Sequence, residues 1–227
     1  MSAPLRIVGV DGPAGSGKST ITRLVAVALD LEVLDTGAMY RVVTLAALES
    51  GTALDDGPAL GALARRHRIG LGPADAVTLD GRDVRAEIRG PEVTGAVSTV
   101  SAQPEVREVL VDLQRAWMAE RGGGVVEGRD ITTVVFPDAP LKVYLTASEA
   151  ERARRRAADE AAADRPADAA AVEADLKRRD ALDSGRAAAP LAVADDAVVL
   201  DTTGLTIDDV VGEVVRLAHR AFTGGDA

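Results

Sequence analysis

An α/β protein built on a doubly wound, five-stranded parallel sheet is what this sequence predicts, on three observations. Short apolar segments recur along the chain and alternate with segments of helical periodicity. A glycine-rich turn joins the first such strand to the first such helix. Polar clusters (that turn, then "DTG", then "GRD") directly follow the first three strands, and in an open parallel sheet ligands gather at that carboxyl edge.

The strands read in order as 5–10 ("LRIVGV"), 32–35, 124–127, 141–145 ("LKVYL") and 197–201 ("AVVLD"). Helical patterns cover 19–29, 37–50, 104–120, 148–160 and 206–222; in the first, Ile21, Leu24, Val25 and Ala28 have helical spacing. Two regions interrupt the alternation. Residues 57–103 hold a short helix, "HRIGLG" and "AVTLDGRDV", whose Asp80-Gly81 predicts a hairpin turn, and they read as a small insert. Residues 157–174, rich in Ala and Asp and broken by Pro166, fit a mobile helical flap or a solvated helix pair equally well. All of this fits one domain spanning 1–227.

Between the first strand and its helix lies "DGPAGSGKST", which contains the P-loop pattern Gly12-x-x-x-x-Gly17-Lys18-Ser19 in its expected strand–turn–helix setting. Gly12, Gly15 and Gly17 permit backbone conformations that let successive N–H groups converge on an anion. The helix that follows aims its N-terminal amides at the same point. Lys18 supplies a cation for the outer phosphates of a nucleoside triphosphate, and the Ser19 hydroxyl can ligate Mg²⁺. The whole run Gly12, Pro13, Ala14, Gly15, Ser16, Gly17, Lys18, Ser19 and Thr20 is therefore assigned to ATP and Mg²⁺. A chance match in a chain of this composition is roughly a one-in-a-hundred event, so a decorative glycine turn is the weaker explanation.

Composition excludes several classes. With 26 Lys and Arg against 36 Asp and Glu, the net charge of −10 disfavours general binding to nucleic acid or anionic membrane. No cysteine is present, so disulfides, thiolate catalysis and Cys-ligated metals are out. His67 and His219 form no metal-ligand motif, and no run approaches a membrane span. A soluble cytoplasmic protein is the expectation. Aromatics are only 2% of the residues, so Ala, Val and Leu must fill the core.

Four arginines arrive from separate segments: Arg41 in "LDTGAMYRVV", Arg129 in "VVEGRD", and Arg179 and Arg186 in "KRRDALDSGR". Arg179, Asp183 and Arg186 would share a face if that segment is helical. A surface salt bridge explains any one arginine, but not four at strand ends. Guanidinium forks bind phosphate bidentately, and one nucleotide needs only the P-loop and Mg²⁺. The surplus predicts a second phosphate-bearing substrate.

Taken together, "DGPAGSGKST", "DTGAMYR", "EIRGPEV", "VVEGRDITTVVFPDAPLKVYL" and "RRDALDSGRAAAPL" resemble the bacterial cytidylate kinases, the (d)CMP kinases among the nucleoside monophosphate kinases, in the right order over nearly the whole chain. The resemblance implies a P-loop kinase fold, with 57–103 as a monophosphate-binding insert and 152–172 as a helical lid. It implies Mg²⁺-dependent transfer of the γ-phosphoryl of ATP to CMP or dCMP in pyrimidine nucleotide metabolism. By matching position, Arg41, Arg129, Arg179 and Arg186 hold the acceptor phosphate, Thr36 belongs to the same substrate site, Tyr40 and Asp183 lie at the ribose, and Ser98, Arg107 and Asp130 read the cytosine. Asp83 and Arg89 are further contributors from the insert. Lys18, Arg129, Arg155 and Arg156 act on the transferring phosphoryl, with Arg152 as another lid candidate. Only small-molecule partners are implied, with no nucleic acid and no membrane, and the chain is expected to be a monomer.

The lid helix opens with a capping box, Ser148 to Glu151, and a Glu151–Arg155 pair can stitch its face. Transfer is expected to be direct and in line, without a general base, because a monophosphate is already an anionic nucleophile. Two competitors stand beside this reading. The nearer is another small-molecule kinase on the same fold, for UMP, another monophosphate or a phosphate-free acceptor; the arginine surplus argues against the last, and Ser98, Arg107 and Asp130 would decide the base. A regulatory GTPase-type module would need an Asn-Lys-x-Asp segment, which the chain lacks. Mg²⁺ ligands beyond Ser19 stay open, with Asp35 a candidate from its place at a strand end.

Overall fold

The computed structural model describes residues 5–72, 76–162, 168–186 and 189–224. In chain order the elements are β1 (Arg6–Asp11), α1 (Lys18–Leu29), β2 (Val33–Asp35), α2 (Thr36–Ser50), α3 (Gly57–Arg66), β3 (Ile69–Leu71), β4 (Val77–Leu79), β5 (Arg82–Asp83), α4 (Pro91–Ser101), α5 (Pro104–Arg121), β6 (Gly123–Gly128), β7 (Leu141–Thr146), α6 (Glu149–Ala162), α7 (Ala169–Ser184), β8 (Val198–Asp201) and α8 (Ile207–Thr223). Every strand and helix expected from the alternating pattern is present, with ends shifted by no more than about two residues, the usual uncertainty of element boundaries.

Five strands form one sheet in the order β2-β6-β1-β7-β8. β1 pairs in parallel with β6 and β7, and β7 with β8. The register sets Asp11 level with Gly128 on one side and Tyr144 on the other. The residue that enters the P-loop and the residue that precedes Arg129 therefore leave the sheet side by side at its carboxyl edge.

The chain divides into two compact units. The first, Met1–Val33 with Arg121–Ala227, is centred on the sheet. Its core is aliphatic throughout: Val8, Val10, Val125, Val143 and Leu145 from the strands meet Ile21 and Val25 of α1 and Val210 and Val214 of α8. α8 is held at its start by a full capping box between Thr206 and Asp209. The second unit, Leu34–Glu120, packs α2 through Val42 and Leu45 against Val77, Leu79, Val84 and Ile88. Its small sheet runs β3-β4-β5. The hairpin expected at Asp80-Gly81 is there, with φ of 52° and 87°, the pair of positive values that a two-residue hairpin turn needs.

Only half of the expected capping box forms: Glu151 N–H donates to Ser148 Oγ at 3.3 Å, but Ser148 N–H donates to Thr203 Oγ at 2.8 Å because Arg154 and Arg155 take the Glu151 carboxylate. α7 ends at Ser184, so Arg179 and Asp183 are helical while Arg186 lies just beyond the helix. The middle of the flap, including Pro166, falls outside the described residues. Among the described residues no helix is long and apolar enough to cross a membrane.

With so few aromatics, each buried aliphatic side chain carries a large share of the core. Leu145 is fully buried between β1 and β8. Leu145→Ala is expected to lower unfolding free energy by about 2–5 kcal/mol, read as a shifted urea midpoint at constant m-value.

Candidate active site

The P-loop is shaped by three left-handed glycines, Gly12 (φ 151°), Gly15 (75°) and Gly17 (89°). Space is as restrictive as φ. A Cβ on Gly12 would sit 2.1 Å from the Leu145 carbonyl oxygen, and one on Gly15 would sit 2.8 Å from that of Arg152. Four loop carbonyls are taken up by cations. Lys18 Nζ donates to the Gly12 and Pro13 oxygens, both at 2.8 Å. Arg129 Nη1 also reaches Gly12 O at 3.0 Å, Arg152 Nη1 reaches Ala14 O at 3.0 Å, and Arg155 Nη1 reaches Ser16 O at 3.3 Å. With its carbonyls occupied in this way, the loop offers donor groups to an anion. Thr20, the last residue assigned to it, is exposed on α1.

Lys18 is buried. Burial, then the Arg129 charge, brings its pKa down to about 7, against the opposing pull of Glu127, Asp11 and Asp180.

Ser19 Oγ donates to Glu127 Oε2 at 3.0 Å, and Glu127 is buried at the end of β6. A hydroxyl and a carboxylate side by side form the hard-oxygen donor set that Mg²⁺ favours. Asp35, the candidate suggested by position, instead accepts from Ala38 N–H at 3.0 Å as the cap of α2. Asp11 is fully buried and accepts three hydrogen bonds, from Ile131 N–H (2.9 Å), Thr132 N–H (2.7 Å) and Thr132 Oγ (2.7 Å). It thereby anchors the π-helical turn Ile131–Val135 that follows Arg129 and the buried Asp130.

The arginines form a second cluster around one carboxylate. Asp183 accepts from Arg129 Nε at 2.8 Å and from Arg186 Nη2. Burial acts to raise the Asp183 pKa, but Arg129 and Arg186 outweigh it and hold the group ionised below its ordinary value. The Arg179 Nε is buried and has no hydrogen-bond partner among the described residues, while Asp183 and Asp175 favour the charge of its guanidinium. Burial and the neighbouring Arg129 lower its pKa. On α6, Arg155 pairs with Glu151 at 2.8 Å and donates to Thr202 Oγ at 2.8 Å, while Arg156 pairs with Glu160 one turn on.

In the second unit, Arg107 is buried, lies over the Tyr40 ring with its guanidinium carbon 5.7 Å from the centroid, and donates to Ser101 O at 3.4 Å. Arg41 donates to Ile88 O and Thr94 Oγ, both at 2.9 Å. Thr36 and Ser98 are buried at the start of α2 and within α4. Asp83 is bound by Arg85, and Arg89 closes the short 3-10 turn Glu87–Arg89.

Residues 8–220 match the profile of the cytidylate kinase family. The chain belongs to that family. It is 53% identical over 228 residues to the cytidylate kinase of Rhodococcus jostii (strain RHA1), covering 99% of this chain and 100% of that one. Likewise it is 50% identical to the cytidylate kinase of Corynebacterium glutamicum, over 94% of both chains. Among solved structures, a gluconokinase from Sinorhizobium meliloti 1021 aligns with a TM-score of 0.50 at 15% identity, over 98% of this chain and 97% of that one, which is a likeness of fold.

For this cytidylate kinase family member, reading the sequence alone missed two carboxylates, Glu127 and Asp180. Glu127 had a signal: it closes the strand that pairs with β1, the place from which a carboxylate can reach the P-loop hydroxyl. Asp180, which accepts from Ala14 N–H at 3.0 Å, had none, because its partner is 166 residues away.

The lowered Lys18 pKa makes pH a test of the loop. A deprotonated amine cannot hold a phosphate, so kcat/KM for ATP is expected to fall by about tenfold per pH unit above about 7, where the free protein loses that proton. Bound phosphate favours the ammonium, so kcat should hold to higher pH. The linked stability effect has the opposite slope. A depressed lysine pKa penalises the folded state at low pH, so this contribution improves as pH rises from about 7 towards 10.5.

Proposed function

We propose that this chain transfers the γ-phosphoryl group of ATP to CMP or dCMP. Arg129 carries the reading. One nitrogen of its guanidinium bonds the P-loop at Gly12 O (3.0 Å), and another bonds Asp183 in the arginine cluster (2.8 Å). A residue bonded to both the P-loop and the arginine cluster supports transfer of a phosphoryl from a donor at one to an acceptor at the other. Family membership supports the acceptor class, and Asp130, Ser98 and Arg107 are the residues assigned to the base by their matching positions.

The step is an in-line displacement. An oxygen of the acceptor monophosphate forms the new bond to the γ-phosphorus as the bond to the β–γ bridging oxygen breaks, and ADP leaves with that electron pair. No general base is required, since the attacking oxygen is already an anion. Lys18 and the loop amides orient the donor, while Arg179 and Arg186, with Arg129, hold the acceptor phosphate and take up charge on the equatorial oxygens. Arg155 and Arg156 are the lid residues assigned to the same task. Ser19 and Glu127 are the residues that would hold Mg²⁺. Held there, Mg²⁺ would supply charge neutralisation to the phosphates of the donor. In the same reading 57–103 is the monophosphate-binding insert, 152–172 is the lid that excludes water, and the protein works as a cytoplasmic monomer.

A coupled ADP-release assay run in parallel with CMP, dCMP, UMP, AMP, GMP and dTMP checks the acceptor. CMP and dCMP are expected to dominate, and Asp130→Ala to lose the preference for cytosine or the activity. Turnover that no monophosphate raises above ATP alone would sink the kinase reading. Glu127→Gln is expected to raise the Mg²⁺ concentration for half-maximal rate by about 10- to 100-fold, as loss of a carboxylate partner does at other metal sites.

A further inference from the structure

Ala14 of the phosphate loop is held by all three of its groups. Its N–H donates to Asp180 Oδ1 at 3.0 Å, and its carbonyl accepts from Arg152 Nη1 at 3.0 Å. Its methyl group packs with Val172 and Leu176 of α7 and Ala153 of α6. The two polar partners are joined in turn, since Arg152 Nη1 also donates to Asp180 Oδ2. Carboxylate, guanidinium and one loop residue thus close a ring, with the Asp180 and Arg152 side chains only 18% and 10% exposed. Charge-assisted hydrogen bonds sheltered to this degree are strong and directional.

The place of Ala14 makes this consequential. It sits between Gly12 and Gly15, two of the three positive-φ glycines of the loop, whose backbone is the least restricted. A loop left to swivel on its glycines pays ordering entropy each time it closes on phosphates, and one held in shape beforehand does not. The Asp180 charge is met by Arg152, so it puts no uncompensated anion beside a phosphate.

We propose that Asp180 is a positioning residue for the phosphoryl donor: it pins Ala14 to α6 and α7, so that the phosphate loop keeps its binding shape only together with those two helices. The inference rests on the donor reading of the P-loop given above.

Calorimetric titration of the full chain with ATP in the presence of Mg²⁺, and separately with CMP, tests it. Asp180→Ala is expected to weaken ATP binding by about 10- to 100-fold, the loss typical of a sheltered hydrogen bond to a charged group. CMP affinity should stay within about twofold, a split that a general loss of structure would not produce. Asp180→Asn keeps an acceptor for the Ala14 N–H but no charge for Arg152, so it should fall between; it carries the comparison if the alanine variant does not fold. ATP binding that is unchanged or tighter in the Asp180 variants overturns the proposal, and so does an equal weakening of CMP. The ATP titration needs no acceptor. A wild-type chain that binds ATP but fails to phosphorylate CMP would therefore count against the proposed acceptor, not against this inference.

Discussion

Satisfying the backbone at the carboxyl end of β1 is the constraint on which the rest of the site depends. A loop that turns its N–H groups towards an anion must leave carbonyl oxygens in need of donors, and each unmet one costs free energy where water is scarce. Here those donors are long cationic side chains brought from elsewhere: Lys18 from the start of α1, Arg129 from the end of β6, and Arg152 and Arg155 from α6. The same four residues are cations, so the groups that hold the loop in shape also make its surroundings positive.

Carboxylates hold these cations in check. Asp183 binds Arg129 and Arg186, Asp180 binds Arg152, Glu127 sits at Ser19, and Asp11 grips the turn beyond Asp130. Breaking one member of such a buried pair leaves the other charge uncompensated, which is why pairs of this kind are costly to disrupt whatever their net worth. Arg179 is largely buried as well, and Asp183 and Asp175 favour its charged form. The overall acidity of the chain, net −10, is therefore no guide to the local field at the P-loop.

The aliphatic core serves this arrangement by being unremarkable. Val, Leu, Ile and Ala fill the space between the sheet, α1 and α8 without polar atoms that would need partners. Parallel strands buried in this way read as continuous apolar runs, and they deliver their polar residues to one edge. Asp11, Glu127 and Gly128 all reach that edge because the register of β1 on β6 sets Asp11 beside Gly128.

Much of this was legible before any coordinates, because it is local. Strand and helix periodicity, the glycine spacing of the P-loop, the Asp80-Gly81 turn and the Ser148 cap each depend on residues within a few positions of one another, and each is found where the sequence places it. What the sequence determined by itself, then, is the order of elements, the phosphate loop and the family. Partnerships across long separations were not legible. Nothing near Asp180 points to Ala14, the strand-end position that marks Glu127 is shared by Asp35 and so does not choose between them at Ser19, and Asp183, whose pair with Arg186 is local, meets Arg129 only through the fold. Only the tertiary structure decided which carboxylate meets which cation. The chemistry of Asp and Arg admits many such pairs, and it is folding distance, not residue type, that selects among them.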